Sequence, residues 1–304
     1  MARQPRPWRD RTLLAYLGAV NAAARSRIFR STLSTPGALR VPEVAIVFWI
    51  VKGLSTAMGE STSDALVNSS LGAPGAVVLG FLAFLGALAL QFRQAQYRAW
   101  SYWLAVCMVG VFGTMAADVM HVALHVPYTA STLFYAALLA AVFATWRRVE
   151  STLSIHSIDT PRREAFYWAA VVATFAMGTA LGDFTATTLK LGYFPSAALF
   201  AAFILVPLLG WRLLRWNPVV CFWSAYVVTR PLGASIADGL AKPKDASGMG
   251  FGDGPVAAVF VGLIVLLVAY LAVTKADVQR SATREPADAT LPMPETVNPE
   301  LRTP

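Results

Sequence analysis

Apolar residues run through this chain in eight stretches of about 20 residues, the length a helix needs to span the hydrocarbon core of a bilayer. They cover roughly 42–67, 72–92, 100–124, 128–146, 165–189, 195–213, 218–240 and 255–274. The odd-numbered stretches share one pattern of interruptions: an aromatic residue and Trp, a Gly ten residues after the Trp, and an Asp five residues after the Gly. The copies are Phe48-Trp49, Gly59 and Asp64; Tyr102-Trp103, Gly113 and Asp118; Tyr167-Trp168, Gly178 and Asp183; and Phe222-Trp223, Gly233 and Asp238. Each unit holds two helices, so every unit starts in the same orientation and the repeats are parallel, not inverted. The expected fold is an all-α polytopic membrane protein, eight transmembrane helices built from four two-helix repeats.

Composition agrees with a membrane location. Of 304 residues, 56% are hydrophobic and 14% charged, where a soluble domain carries about 25% charged. Lys and Arg are retained on the cytoplasmic side during insertion, and 20 of the 25 fall before the first stretch, in the even-numbered connections or in the tail. Lys190, Lys242 and Lys244 lie on the opposite side, and Lys52 and Arg230 within helices. Both termini are therefore expected in the cytoplasm. The net charge of +8 follows from this asymmetry and faces anionic headgroups; no basic stripe carries a nucleic-acid motif.

The domain plan reads as a basic cytoplasmic extension (1–40), repeats 1 and 2 (41–146), a cytoplasmic linker (147–164), repeats 3 and 4 (165–275) and a disordered, proline-rich tail (276–304). Cys107 and Cys221 are offset along their helices by six places, roughly 9 Å in depth, too far for a disulfide.

Columns of the repeat carry the packing code. The residue before each Asp is small, which makes Gly59-xxx-Ser63, Gly113-xxx-Ala117, Gly178-xxx-Gly182 and Gly233-xxx-Ala237, the spacing that lets membrane helices approach closely. The repeat glycines and Trp49, Trp103, Trp168 and Trp223 are read as helix-packing residues, the odd helices meeting one another or their even partners. One place further round, Glu60 and Asp64, Thr114 and Asp118, Thr179 and Asp183, and Ala234 and Asp238 share a face at i and i+4. Continued backwards, that stripe takes in Lys52 and Thr56, Gly110, Phe175 and Arg230.

Ionisable groups at membrane depth are costly and commonly mark an ion or substrate route. Asp64, Asp118, Asp183, Asp238 and Glu60 are the candidate binders of a cation or proton, with Thr114 and Thr179 as oxygen ligands. Hard oxygen donors of this kind suit Mg, Ca or Mn. Lys52 and Arg230 are expected to be tethered counter-charges, released from their acids when a cation or proton arrives. Asp118 with His121, three residues on, is a weaker metal candidate; His125 continues the same helical face. The plainer roles are capping of the outer helix ends for the aspartates and an interfacial position for the histidines.

The segments Val41-Pro42-Glu43-Val44, Phe48-Trp49, Lys52, Gly59-Glu60 and Asp64, with Tyr167-Trp168, Gly178-Thr179, Gly182-Asp183 and Thr229-Arg230-Pro231-Leu232-Gly233-Ala234, resemble a bacterial membrane-protein family of four tandem repeats. Each repeat of that family has two transmembrane segments and a Trp, and its function is unknown. The resemblance spans Val41 to Lys275 and implies a bacterial inner membrane, without a substrate or catalytic residues. The resulting expectation is a secondary transporter whose carboxylates bind a cation, a divalent metal among them, or relay protons. No enzymatic activity, cofactor or nucleic-acid partner is expected, only the bilayer and a small ion or small-molecule substrate. The competing readings are a carrier of small organic anions using Lys52 and Arg230, a non-transporting scaffold and, behind these, an intramembrane aspartyl protease.

Overall fold

The computed structural model describes residues 39–279. The basic N-terminal extension up to residue 38 and the tail from residue 280 lie outside the described residues. Eight long helices follow one another: α1 (Ile46–Val67), α2 (Gly72–Phe92), α3 (Ala99–Asp118), α4 (Tyr128–Glu150), α5 (Pro161–Asp183), α6 (Tyr193–Leu214), α7 (Pro218–Ala241) and α8 (Asp253–Thr274). Seven are long and apolar enough to cross a membrane. The eighth, α1, carries Lys52, Glu60 and Asp64, and Lys52 and Glu60 are buried against its neighbours.

Local chemistry sets the ends. Thr160 caps α5 by accepting the Arg163 amide proton at 3.3 Å, and Pro161 occupies the first turn, where its missing N–H costs nothing. Asn217 does the same for α7, accepting from the Val219 amide at 2.9 Å ahead of Pro218. These caps start α5 four residues before the expected 165, so the linker expected over 147–164 is shortened from both sides: α4 also runs on to Glu150. Directly after the repeat aspartates, α3 and α5 each widen into a π turn, Val119–Ala123 and Phe184–Thr188. The copies in α1 and α7 do not.

The odd helices form a closed ring in which α1 packs on α3, α3 on α5, α5 on α7, and α7 on α1. Each even helix lies chiefly on the odd helix of the following repeat: α2 on α3, α4 on α5, α6 on α7, and α8 back on α1. The even helices turn large apolar groups such as Leu82, Leu133, Leu213 and Leu266 outward, as a lipid-facing surface requires.

The repeat glycines make the ring possible. A Cβ on Gly59 would lie 2.7 Å from the Gly110 backbone, one on Gly113 2.9 Å from Phe175, one on Gly178 2.3 Å from Arg230, and one on Gly233 1.9 Å from Thr56. In all four cases the residue met stands three places before the next repeat's glycine, so a single contact recurs around the ring. The small-residue column thus joins odd helix to odd helix.

A second cyclic contact closes one end. The aromatic residue of each signature packs on the Trp of the next: Phe48 on Trp103 at 5.6 Å, Tyr102 on Trp168 at 5.6 Å, Tyr167 on Trp223 at 6.0 Å and Phe222 on Trp49 at 5.7 Å. Trp103, Trp168 and Trp223 are buried and Trp49 half-buried, so they pack the interior. Cys107 and Cys221 are free, buried thiols.

Candidate functional site at the bundle axis

The i, i+4 stripe of each odd helix faces the ring interior and places its side chains in successive layers. From the aromatic end these are Phe48, Tyr102, Tyr167 and Phe222; then Lys52, Val106, Val171 and Tyr226; then Thr56, Gly110, Phe175 and Arg230; then Glu60, Thr114, Thr179 and Ala234; then the four aspartates. Adjacent layers are four residues apart, about 6 Å along a helix.

Arg230 is the centre of the fourth layer although it springs from the third. Its Nη2 donates to Glu60 Oε2 at 2.7 Å, to Thr179 Oγ1 at 2.6 Å and to Thr114 Oγ1, reaching all three other repeats. Its Nη1 faces the Thr56 carbonyl at 3.4 Å. Gly178 provides the notch for its stem. Arg230 and Glu60 are both buried, and a charge pair withdrawn from water this way is tolerable only with good geometry and further hydrogen bonds.

Lys52 departs from expectation. It is completely buried, yet no carboxylate pairs with it, and its Nζ has no hydrogen-bond partner among the described residues. The ammonium position lies instead 4.1 Å from the Phe175 ring centroid and 4.3 Å from that of Tyr226. Arg230 Cζ lies 5.3 Å from the same Phe175 centroid, so one ring faces both cations. The stripe had assigned Lys52 to an acid; Phe175, one layer nearer the acids, stands in between.

The aspartates divide into two pairs. Asp64 and Asp238 gather with Glu60, one carboxylate oxygen from each lying within 4.8 Å of the others. Lys242, just past the end of α7, pairs with Asp64 and approaches Asp253 at 3.4 Å and Asp238 at 3.9 Å. Burial works against the Lys242 ammonium, but these acids outweigh it and hold its pKa above the ordinary lysine value. Asp118 and Asp183, the two followed by π turns, are half-buried and have no side-chain hydrogen bond or ion pair among the described residues. The acids are therefore grouped as Glu60, Asp64 and Asp238, with Asp118 and Asp183 apart.

The weaker metal pair is not supported by its surroundings. The π turn breaks the α-helical register behind the shared-face expectation for His121 and His125. His121 Nδ1 contacts the Val126 carbonyl at 3.0 Å and the ring stacks on Tyr128 at 3.6 Å, while His125 is exposed at positive φ.

The family described as Repeat of Unknown Function (DUF347) matches residues 47–97, 101–152, 166–215 and 221–277, the four two-helix units. The chain belongs to this repeat family. No curated protein and no solved structure matches it. In this chain each matched repeat contributes one interhelical glycine contact and one aromatic contact, with the polar stripe inside.

Three groups of interest escaped the sequence reading. Lys242 sits four residues after Asp238, so extending the stripe one more step finds it; it had been assigned to a connection. Asp253 opens α8, two residues before the expected start. Glu164, assigned to the linker, is fully buried at the aromatic end, where Arg40 Nη1 donates to it at 2.7 Å and Gln91 Nε2 at 3.0 Å. Nearby, Ala276–Gln279, expected in the disordered tail, are folded onto the bundle. The Glu43 amide donates to the Asp277 carbonyl at 2.8 Å, and the Tyr97 hydroxyl donates to the Asp277 carboxylate.

Proposed function

We propose that this protein is a secondary transporter of the bacterial inner membrane whose intramembrane carboxylates bind a cation or relay protons. One observation carries the reading: the axial acids are occupied by cations on side-chain tethers, Arg230 on Glu60 and Lys242 on Asp64. A buried carboxylate requires a positive partner, and a mobile ion or proton can supply what the tether supplies. Displacement then changes which groups the tethers bridge, which is what couples ion arrival to helix movement.

Glu60, Asp64 and Asp238 form a hard-oxygen set suited to a divalent metal such as Mg, Ca or Mn, and Asp118 and Asp183 extend the acidic lining. In this reading all eight helices cross the membrane and the aromatic end is cytoplasmic, the side to which the arginine-bearing segments assign both termini. The aromatic layer is the closed gate. The aspartate end is the open one, with about a quarter of the Lys242 side chain exposed (26%). An organic-anion carrier has less support, because Arg230 is engaged by oxygen acceptors and Lys52 is held between rings. A scaffold would leave the axial charges without a purpose.

The test is uptake and efflux in proteoliposomes across divalent metals, monovalent cations and organic acids, with and without a pH gradient. Asp64→Asn, Asp118→Asn, Asp183→Asn and Asp238→Asn are each expected to impair flux at unchanged protein levels. Full activity in all four variants would reject the carboxylate mechanism.

A further inference from the structure

The oxygen cage around Arg230 Nη2 has more acceptors than that nitrogen can serve. Three oxygens from three helices, Glu60 Oε2, Thr114 Oγ1 and Thr179 Oγ1, lie within hydrogen-bond distance of it, yet a guanidinium NH₂ has two hydrogens. Both threonines can direct their own hydroxyl protons elsewhere. Thr114 Oγ1 donates to the Gly110 carbonyl at 3.0 Å and Thr179 Oγ1 to the Phe175 carbonyl at 3.3 Å, which leaves their lone pairs toward the cage. The fourth side is the buried methyl of Ala234.

The guanidinium is itself incompletely satisfied: Arg230 Nε is buried without a partner among the described residues. One layer further on, Asp118 and Asp183 follow Thr114 and Thr179 by four residues, and among the described residues they lack a cationic partner.

We propose that Glu60, Thr114 and Thr179 form a binding site for a small monovalent cation of the ammonium type, which Arg230 occupies as a tethered stand-in and vacates toward Asp118 and Asp183. The charge count selects the class. Of the three cage oxygens one is a carboxylate, which balances one positive charge, while the neighbouring Asp64 and Asp238 are already faced by Lys242; a divalent ion would leave an excess beside the Lys52 and Arg230 side chains. The donor count refines it, because ammonium presents at least the three N–H groups that three acceptors call for. An unhydrated alkali ion shares the charge and the oxygen preference, and differs from ammonium in lacking directional donors. The assignment rests on the carrier reading, and it makes Glu60 the junction between an inner monovalent station and the outer pair Asp64 and Asp238.

The experiment is ligand-induced thermal stabilisation of the full-length protein in lipid nanodiscs, with ammonium, potassium, sodium and magnesium chlorides at ionic strength balanced by choline chloride. Wild type is expected to show saturable stabilisation by ammonium or an alkali ion, as binding to the folded state alone requires. Thr114→Val and Thr179→Val keep side-chain shape and are expected to weaken the apparent affinity about tenfold each, as the loss of one charge-assisted hydrogen bond implies. Thr274→Val, an exposed threonine at the end of α8 whose hydroxyl donates to the Tyr270 carbonyl, is expected to leave it within about twofold, as a distant site without shared partners does. No saturable response to any monovalent ion overturns the site, as does a response that both Thr variants retain or one to magnesium alone. Saturable binding that needs the threonines, without flux in proteoliposomes, would sink the carrier reading and keep the site. Cation flux untouched by the Thr variants would do the reverse.

Discussion

Gly178 and Arg230 fit so closely that a methyl group on residue 178 would lie 2.3 Å from Arg230 Cγ and 2.6 Å from its Cβ. The notch is what lets a long charged side chain leave α7 and reach both Glu60 on the neighbouring α1 and Thr114 on α3 across the ring. Gly178→Ala must push the arginine stem or separate α5 from α7, and overpacking of that kind costs about 1–3 kcal/mol. Gly53→Ala and Gly262→Ala, where an added Cβ meets nothing within 4 Å, are expected to be neutral or slightly stabilising. Thermal unfolding in detergent, compared across the three variants, checks the difference.

Glu60→Gln would remove the carboxylate from a buried arginine and leave the positive charge uncompensated, a loss of about 3–5 kcal/mol. Glu60→Gln with Arg230→Met removes both charges and is expected to recover most of that loss. A double-mutant cycle on unfolding midpoints measures the coupling, and additivity of the two single effects would show that the pair does not act as a unit.

Lys52 behaves oppositely. With no hydrogen-bond acceptor among the described residues and two aromatic rings for neighbours, its amine occupies a site that suits a thioether better than a charge. Lys52→Met is expected to match or exceed the wild-type melting temperature and, under the proposed carrier function, to lower flux, as a residue held for function at a cost to stability should. Melting and flux measured on one preparation separate the two effects; a destabilisation as large as that of Glu60→Gln would show that the ammonium has a partner.

Lys242 holds three acids from three helices, and its raised pKa keeps it charged throughout the neutral range. A raised lysine pKa contributes stability that is fully present below the ordinary value of about 10.4 and fades as pH climbs through the folded value. Lys242→Gln is therefore expected to lower stability near neutral pH and leave Asp64 and Asp238 repelling each other. Divalent cations should restore stability to this variant more than to wild type. A calcium or manganese titration of the melting temperature reads the contrast.

Much of the architecture was legible because the ring repeats itself. When four helices make the same contact at the same depth, the chemistry of that contact recurs at the same spacing, and Gly59, Gly113, Gly178 and Gly233 announce it. Helix limits were legible to a few residues where apolar runs end, and less so where a cap decides, as Thr160 does for α5 and Asp253 for α8. Partners were harder. A stripe gives the face and depth of Lys52, but not that Phe175 of another repeat stands between it and the acids. Nor could it separate Asp64 and Asp238, which gather about Lys242, from Asp118 and Asp183, because the identical spacing conceals the π turns that follow the latter pair. Glu164 read as a linker charge because burial by Arg40 and Gln91 depends on contacts 124 and 73 residues away.

Beyond α8, burial pushes the Asp277 carboxyl above the ordinary carboxylate range, against the opposing effect of the Tyr97 hydroxyl bond. A carboxyl with a raised folded pKa stabilises the fold fully below its unfolded value of about 3.9 and loses that contribution as pH rises through the folded one. Asp277→Asn is thus expected to match wild type at low pH and to melt at a higher temperature than wild type near neutrality. Melting curves at several pH values check it; a constant offset would exclude titration of this group as the source.

The docking of α8 on α1 means that the bundle has no intrinsic first repeat. Gln279 Nε2 already donates to the Pro42 carbonyl at 2.9 Å, so the two ends of the described residues touch. A short covalent bridge there, with a new break between α4 and α5, would preserve every interhelical contact and keep the two helices of each repeat together. The order of synthesis is then separable from the finished assembly: circular permutants should reach the same closed ring from a different starting helix.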